Sequence, residues 1–464
     1  MFGSVTGTVY RAINPATGLV ERTFPSATDA DVQAVLHQSE QAYRSWAQRP
    51  AQERALTLAR VGQIFRERAD ELALIATNEV GKPLSQAKAE VEFSAQIFEY
   101  YAETGPGMLV EGQVPGITGA TAVVQKRPLG PLLGVMPWNY PYYQVARFVA
   151  PNLLLGNTVL LKHAESCPGS AQAIQDVFAE ADVPNGVYSN VFATHEQVAS
   201  VIADSRVQGV SYTGSERAGA VIGGLAGANL KKAVLELGGS DAYIVLDTVD
   251  VRESARDAWA ARMENTGQAC NSNKRIIVME DIHDAFVDEL IELAKDLQPG
   301  DPSREEPGTF APMASRAAAQ QLAEQLQDAV RKGATLQVGG ELATDSTAFF
   351  SPAVLTGVTP AMRAYHEELF GPVLVVYKVG NDDEAVVLAN DTKYGLGGAV
   401  FSQDPERAKQ VATDLVTGMV FANASSAEMP QLPFGGVKSS GYGRELGPLG
   451  VLEFSNQRLV YTAI

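Results

Sequence analysis

Cys270 lies in GQACNSN, a run of small residues after a helical stretch, the kind of loop that can offer a sulfur nucleophile to a substrate. A thiol of ordinary pKa, about 8.5, is already partly thiolate at neutral pH and needs little activation. The same context also suits a buried, inert cysteine. Glu236 ends the strand-like part of LELGGSD, before Gly238 and Gly239. Its carboxylate could reach past a sheet edge as a general base while the glycines allow close backbone approach; a strand-end ion pair is the plainer reading. Asn139 stands in MPWNYP, where Pro137 and Pro141 restrict the backbone on both sides and hold the amide in one direction. A fixed amide donor is what an oxyanion hole needs, although a rigid turn closed by the asparagine side chain needs the same residues. SYTGSERAG runs from a strand into a helix, so Gly214, Ser215 and Gly219 open a helix whose free N–H groups suit a pyrophosphate. A capped helix with a packing glycine is the alternative.

The elements that must position these groups can be read from periodicity. Residues 30–47, 55–76 and 91–102 carry apolar positions at helical spacing and read as three amphipathic helices. Residues 106–128 alternate polar and apolar, punctuated by Gly112, Pro115, Gly116 and Gly119, and predict a protruding hairpin. From LLGVMP to KKAVLEL, strands alternate with helices, which implies a parallel sheet covered on both faces with its ligand beyond the carboxyl ends of the strands. AYIVL, KRIIVM, ATLQVGG, PVLVVYKV and MVFANA continue as a second α/β set. The apolar terminus GVLEFSNQRLVYTAI reads as a strand, and pairing with another subunit would cover its edge.

Composition narrows the classes. At 464 residues the chain exceeds the ~100–200 residues of one domain, so two large lobes are expected. A net charge of -18, spread along the chain, argues against nucleic acid or anionic membrane as a partner. The amino terminus lacks the order of a signal peptide, and no apolar run approaches the ~20 residues that span a bilayer, which points to the cytoplasm. The 2 cysteines and 5 dispersed histidines show no metal-ligand spacing, so no metal is expected, and Cys167 reads as a small buried residue.

In order along the chain, INPATG, PWNYP, GNTVLLK, TGS, LELGGSD, GQAC, ELFGPV, NDTKYGL and PFGGVKSSGYGRELG resemble the NAD(P)-dependent aldehyde dehydrogenase superfamily over essentially the full length. WNYPYYQVAR, LLKHAES and NTGQACNSNKR are most similar to the bacterial succinate-semialdehyde dehydrogenases. The resemblance implies an α/β fold with a Rossmann-type dinucleotide-binding domain (residues 1–107 and 129–236), a catalytic α/β domain (237–437) and a β oligomerisation element (108–128 and 438–464). It implies that Cys270 attacks an aldehyde, succinic semialdehyde above others. Asn139 and the Cys270 N–H would stabilise the oxyanion, and Glu236 would activate water to hydrolyse a thioester. For the cofactor it points to Trp138, Lys162, Glu165, Gly214, Ser215, Gly219, Leu237, Glu368 and Phe370. A carboxylate at Glu165 accepts from a ribose 2′-hydroxyl and repels a 2′-phosphate, which favours NAD and leaves NADP open.

One departure stands out. Nine residues after the asparagine many relatives carry lysine, whereas this chain has Phe148, preceded by Arg147. Arg147, with Gln144 a turn away, is then a candidate for a carboxylate at the substrate's far end, since a guanidinium engages it bidentately; a structural ion pair is the competing reading. Ser425 falls in the segment that lines the substrate entrance in relatives. Family likeness also suggests a homodimer or homotetramer. Two other classes remain: a hydrolase using Cys270 and Glu236 without dinucleotide, and a non-catalytic protein that keeps the fold.

Overall fold

The computed structural model describes residues 9–463; residues 1–8 and 464, which the sequence-based domain bounds include, lie outside the described residues. Helix Asp29–Trp46 starts on a Thr28/Asp31 capping box and buries Val32, Leu36, Ser39, Ala42 and Trp46, one stripe of a helical surface. The single helix expected over residues 55–76 is two, Ala51–Glu67 and Ala69–Val80. Arg68, at φ -105° and ψ 16°, breaks the helical run between them. The next helix, Leu84–Met108, runs on through Pro106, which shortens the expected hairpin to Gly112–Gln113 paired antiparallel with Ala120–Pro128.

Five parallel strands form the first sheet in the spatial order Lys232–Glu236, Gly209–Thr213, Pro131–Met136, Thr158–His163, Tyr188–Asn190. The order reverses between Pro131–Met136 and Gly209–Thr213, and a crevice opens at such a switch point beyond the carboxyl ends. MPWNYP leaves one of these two strands and TGS the other. Gly441–Tyr442 pairs antiparallel with Lys232–Glu236, setting Gly441 opposite Glu236. The segment after residue 437 therefore contributes an edge to this sheet before it reaches the terminal strand.

The second sheet runs Thr335–Val338, Ala353–Thr356, Val373–Val379, Asn273–Met279, Asp241–Val245, Gly398–Phe401, Phe421–Ala422, parallel except at its first strand. Gly398–Phe401 and helix Arg316–Arg331 were not anticipated from sequence. The terminal strand Ser455–Ala463 pairs along its length with Ala120–Pro128 of the same chain and forms an outer edge of that small sheet, with Leu459 and Tyr461 exposed. No helix among the described residues is long and apolar enough to cross a membrane.

Candidate active site

Glu236 closes its strand and is followed by Leu237, Gly238 and Gly239, which cross from the first sheet to Asp241–Val245 of the second. Cys270 stands just before Asn273–Met279, the neighbouring strand. The two loops touch: a Cβ on Gly239 would lie 2.4 Å from the Cys270 carbonyl oxygen, so only glycine permits this approach. Asn139 joins them from the first sheet. Its Nδ2 donates to the Gln268 carbonyl at 3.0 Å, and its own carbonyl accepts from Asn265 Nδ2 at 2.9 Å. The amide is oriented from behind by Gln144, whose Nε2 donates to Asn139 Oδ1 at 3.0 Å. Gln268 lies two residues before Cys270, so amide and sulfur share one loop as their support.

The Cys270 loop is strained and clamped. Asn265 and Thr266 take left-handed conformations, φ 47° and 55°, that non-glycine residues rarely adopt. Arg262, fully buried, spends its guanidinium donors on Gly267 and Ser272 of this loop and on the carbonyls of Leu369, Gly371 and Val373. Burial pulls this guanidinium down to about 9. Glu368 and Phe370 are thereby fixed relative to the cysteine.

Electrostatics sets the resting state. Burial pushes the Cys270 thiol up to about 12, against the pull of Arg147 and Lys274, while Glu368 and Asp241 add to the rise. Glu236 is buried, neither carboxylate oxygen has a hydrogen-bond partner, and desolvation holds it well above the ordinary carboxylate range, with Arg147 opposing and Glu445 reinforcing. Gly435 makes room for it, since a Cβ there would fall 2.7 Å from Glu236 Oε1. Nucleophile and base thus rest neutral, and both feel the same arginine.

Arg147 is fully buried between the rings of Tyr143 and Phe434, and its Nε edge is paired with Glu445. The ion-pair reading of Arg147 is therefore the geometry found. Its two terminal nitrogens have only long contacts, 3.3 Å to Tyr143 Oη and 3.4 Å to Thr213 Oγ1, which leaves donor capacity on that face. Gln144, by contrast, has its amide nitrogen committed to Asn139. That bond orients the Asn139 amide and uses one of the two amide hydrogens, while Gln144 Oε1 has no partner. Ser425 is half-buried in the coil after Phe421–Ala422. Cys167 is fully buried with its sulfur 3.1 Å from His163 Nδ1.

The residues expected to hold a dinucleotide stand at the carboxyl ends of the first sheet's strands, with Glu368 and Phe370 on the second-sheet side of the seam between the sheets. Trp138 and Phe370 meet edge to face across it, ring centroids 5.7 Å apart. Ser215 caps helix Glu216–Ala228 at the carboxyl end of Gly209–Thr213, leaving a positive helix terminus at the switch point. Gly219 lets that helix pack on Leu237, whose Cδ2 would be 2.4 Å from a Cβ. Gly214, at φ 158°, lies against Tyr212. Glu368 accepts from the Gly239 N–H at 3.1 Å, and a Cβ on Gly238 would strike it at 2.3 Å. Lys162 and Glu165 form an ion pair at the end of Thr158–His163, with His195 Nε2 3.4 Å from the same oxygen. Burial works to raise Glu165, yet the Lys162 ammonium, a backbone N–H and His195 together leave the carboxyl below its usual range. A capped helix terminus, bare glycine turns and a ribose-sized pair of charged groups fit a nicotinamide dinucleotide. Among the described residues, no group of three or more His, Cys, Asp or Glu could hold a metal ion.

Sequence reasoning missed Arg262 in helix Val251–Met263, Lys274 in strand Asn273–Met279 and Glu445 in a loop, since periodicity does not say which partner a charged side chain will meet.

Comparison with known proteins points the same way. The aldehyde dehydrogenase family matches residues 3–460. The chain is 52% identical over 452 residues to a succinate-semialdehyde dehydrogenase [NADP(+)] of Deinococcus radiodurans, covering 97% of this chain and 94% of the relative. It is 42% identical to a succinate semialdehyde dehydrogenase [NAD(P)+] of Escherichia coli, covering 97% of each. Among solved structures, succinic semialdehyde dehydrogenase from Streptococcus pyogenes in complex with NADP+ superimposes with a TM-score of 0.94 at 41% identity, over 98% of this chain and all of that one (100%).

Proposed function

The chain belongs to the aldehyde dehydrogenase family, and from that premise we propose that it oxidises succinic semialdehyde to succinate at Cys270. The observation that carries this reading is the meeting of the Cys270 loop with the Glu236–Gly239 turn and the Asn139 amide in one crevice. As a thiolate, Cys270 adds to the aldehyde carbon. Asn139 Nδ2 and the Cys270 N–H receive the oxyanion of the resulting hemithioacetal. A bound nicotinamide dinucleotide would supply the acceptor for the hydride lost as the adduct on Cys270 becomes the thioester. Glu236, having first lost its own proton to solvent, then takes one from water as the water oxygen attacks the thioester carbon; the carbon–sulfur bond breaks, succinate leaves and the Cys270 thiolate takes up the proton that Glu236 holds.

Trp138, Gly214, Ser215, Gly219 and Leu237 would hold the pyrophosphate side, Lys162 and Glu165 the adenosine ribose, and Glu368 and Phe370 the nicotinamide end. Glu165 favours a 2′-hydroxyl, whereas Lys162 and His195 beside it can meet a 2′-phosphate, so NAD and NADP are both accepted. Arg147 would turn its terminal nitrogens, held only by the long contacts to Tyr143 and Thr213, to the distal carboxylate, with Ser425 at the entrance. A cytoplasmic, reducing setting suits a free Cys270 thiol. Self-association through the exposed terminal strand, as dimer or tetramer, would cover Leu459 and Tyr461.

The test is the appearance of reduced dinucleotide on adding succinic semialdehyde, with NAD or NADP, to purified protein. Cys270→Ala should abolish it. Arg147→Ala should lower kcat/KM on succinic semialdehyde more than on butanal; equal losses would end the carboxylate role, and turnover without dinucleotide would favour the hydrolase reading.

A further inference from the structure

Lys274 sits where strand Asn273–Met279 begins, and the strand pairing skips it: Asp241 faces Asn273, while Ala242 faces Arg275. The extra residue is a bulge, a device that redirects a side chain. It sends the Lys274 ammonium inward, where the side chain is 2% exposed. An ammonium has three donors, and all are engaged: Ala269 O at 2.7 Å, Cys270 O at 2.6 Å and Glu368 Oε1 at 3.1 Å. Phe370 stands over the same charge, its ring centre 5.9 Å away.

Those partners flank the nucleophile on both sides. In a planar trans peptide the carbonyl and the N–H point in opposite directions. Holding the Ala269 carbonyl therefore aims the Cys270 N–H away from Lys274, and holding the Cys270 carbonyl fixes the next peptide plane.

We infer that Lys274 is a positioning residue that locks both peptide units around Cys270 to the Glu368 carboxylate, so that sulfur, oxyanion-binding N–H and nicotinamide-ribose contact are set by one ammonium. The inference rests on the proposed roles of Cys270 and Glu368. The charged and titratable groups that face the sulfur are Arg147, Lys274, Glu368, Asp241 and Tyr143. Lys274 also offsets Asp241, whose carboxyl burial pushes up to about 6. Removing the ammonium leaves two carboxyls beside the sulfur with Arg147 alone to oppose them.

The experiment follows alkylation of Cys270 by iodoacetamide against pH in the cofactor-free full-length protein, with a Cys270→Ser blank for buried Cys167. Lys274→Met should slow alkylation about tenfold near neutral pH and move its profile to higher pH, since one pKa unit changes the thiolate fraction tenfold. Glu368→Gln should do the opposite, because the ammonium is then uncompensated. Lys274→Met should also lower kcat and raise the KM for the dinucleotide, with its thermal midpoint followed alongside. A folded Lys274→Met with unchanged or faster alkylation overturns the inference, and so does slower alkylation in Glu368→Gln, which decides alone if Lys274→Met fails to fold. Lack of aldehyde oxidation by the unsubstituted protein would count against the proposed function instead and leave the alkylation result standing.

Discussion

Removing Gln144 should slow the enzyme only through Asn139, and a double-mutant cycle measures whether it does. In the structure one Asn139 Nδ2 hydrogen is held by the Gln268 carbonyl and Oδ1 by Gln144, each at 3.0 Å, which leaves the second Nδ2 hydrogen for the oxyanion. Loss of an oxyanion donor costs ~10²–10³ in kcat, about 2.7–4 kcal/mol, and this is the expectation for Asn139→Ala. Gln144→Leu keeps the volume and removes one neutral hydrogen bond that fixes the amide, worth about 1 kcal/mol or roughly fivefold in rate. In the Asn139→Ala background there is no amide left to orient, so Gln144→Leu should then change kcat hardly at all, a coupling of about 1 kcal/mol. Steady-state kcat and KM on succinic semialdehyde and on butanal would be measured for the four proteins. The same fold-loss from Gln144→Leu in both backgrounds refutes the positioning argument. A KM effect confined to succinic semialdehyde would place Gln144 at the substrate carboxylate instead.

Three further substitutions test the same geometry. Glu236→Gln should give a single burst of reduced dinucleotide followed by turnover slowed ~10²-fold or more, read by rapid mixing. Because burial raises the Glu236 carboxyl above its ordinary 4.5, the folded state holds that proton more tightly than the unfolded one. The stability this confers is complete below the unfolded value and drains away as pH rises above it, so the thermal midpoint of Glu236→Gln should gain on the native protein as pH climbs from 4.5; a constant offset would contradict a neutral resting Glu236. Arg262→Lys offers three donors to the five buried acceptors of Arg262 and strands two of them, about 2–6 kcal/mol in a urea titration; a loss under ~1 kcal/mol would show that the clamp is dispensable. Glu165→Gln should raise kcat/KM with NADP relative to NAD about tenfold, the scale of one repulsion removed at a partly exposed site, and no change in the ratio would detach Glu165 from the ribose.

What could be read from the sequence follows from how each feature encodes itself. The strands of the first sheet are short apolar runs bounded by glycine and helices, and their alternation forces a parallel, doubly wound arrangement whose switch point sits where MPWNYP and TGS emerge. Helix Arg316–Arg331 was legible and overlooked, since Ala319, Leu322, Ala323, Leu326 and Ala329 form one apolar stripe. Gly398–Phe401 was not, because four residues after a glycine-rich turn carry no period, and only its slot beside Asp241–Val245 makes it a strand. The division at Arg68 was equally hidden, as the apolar spacing on either side continues across the break. At the site, residue type beside glycine and proline made Cys270, Glu236 and Asn139 candidates, and only the family resemblance gave them roles. The groups that aim them did not. Arg262 and Lys274 look like ordinary surface cations in sequence, and their burial is a consequence of where Val373–Val379, the bulge at Lys274 and the Glu368 loop meet. Neither cation can lie there without carbonyls turned inward to receive it. Those inward carbonyls belong to the segment that carries the nucleophile and to the one that carries Glu368. The aim of this active site is therefore written in backbone polarity, which a one-dimensional pattern of side chains does not contain.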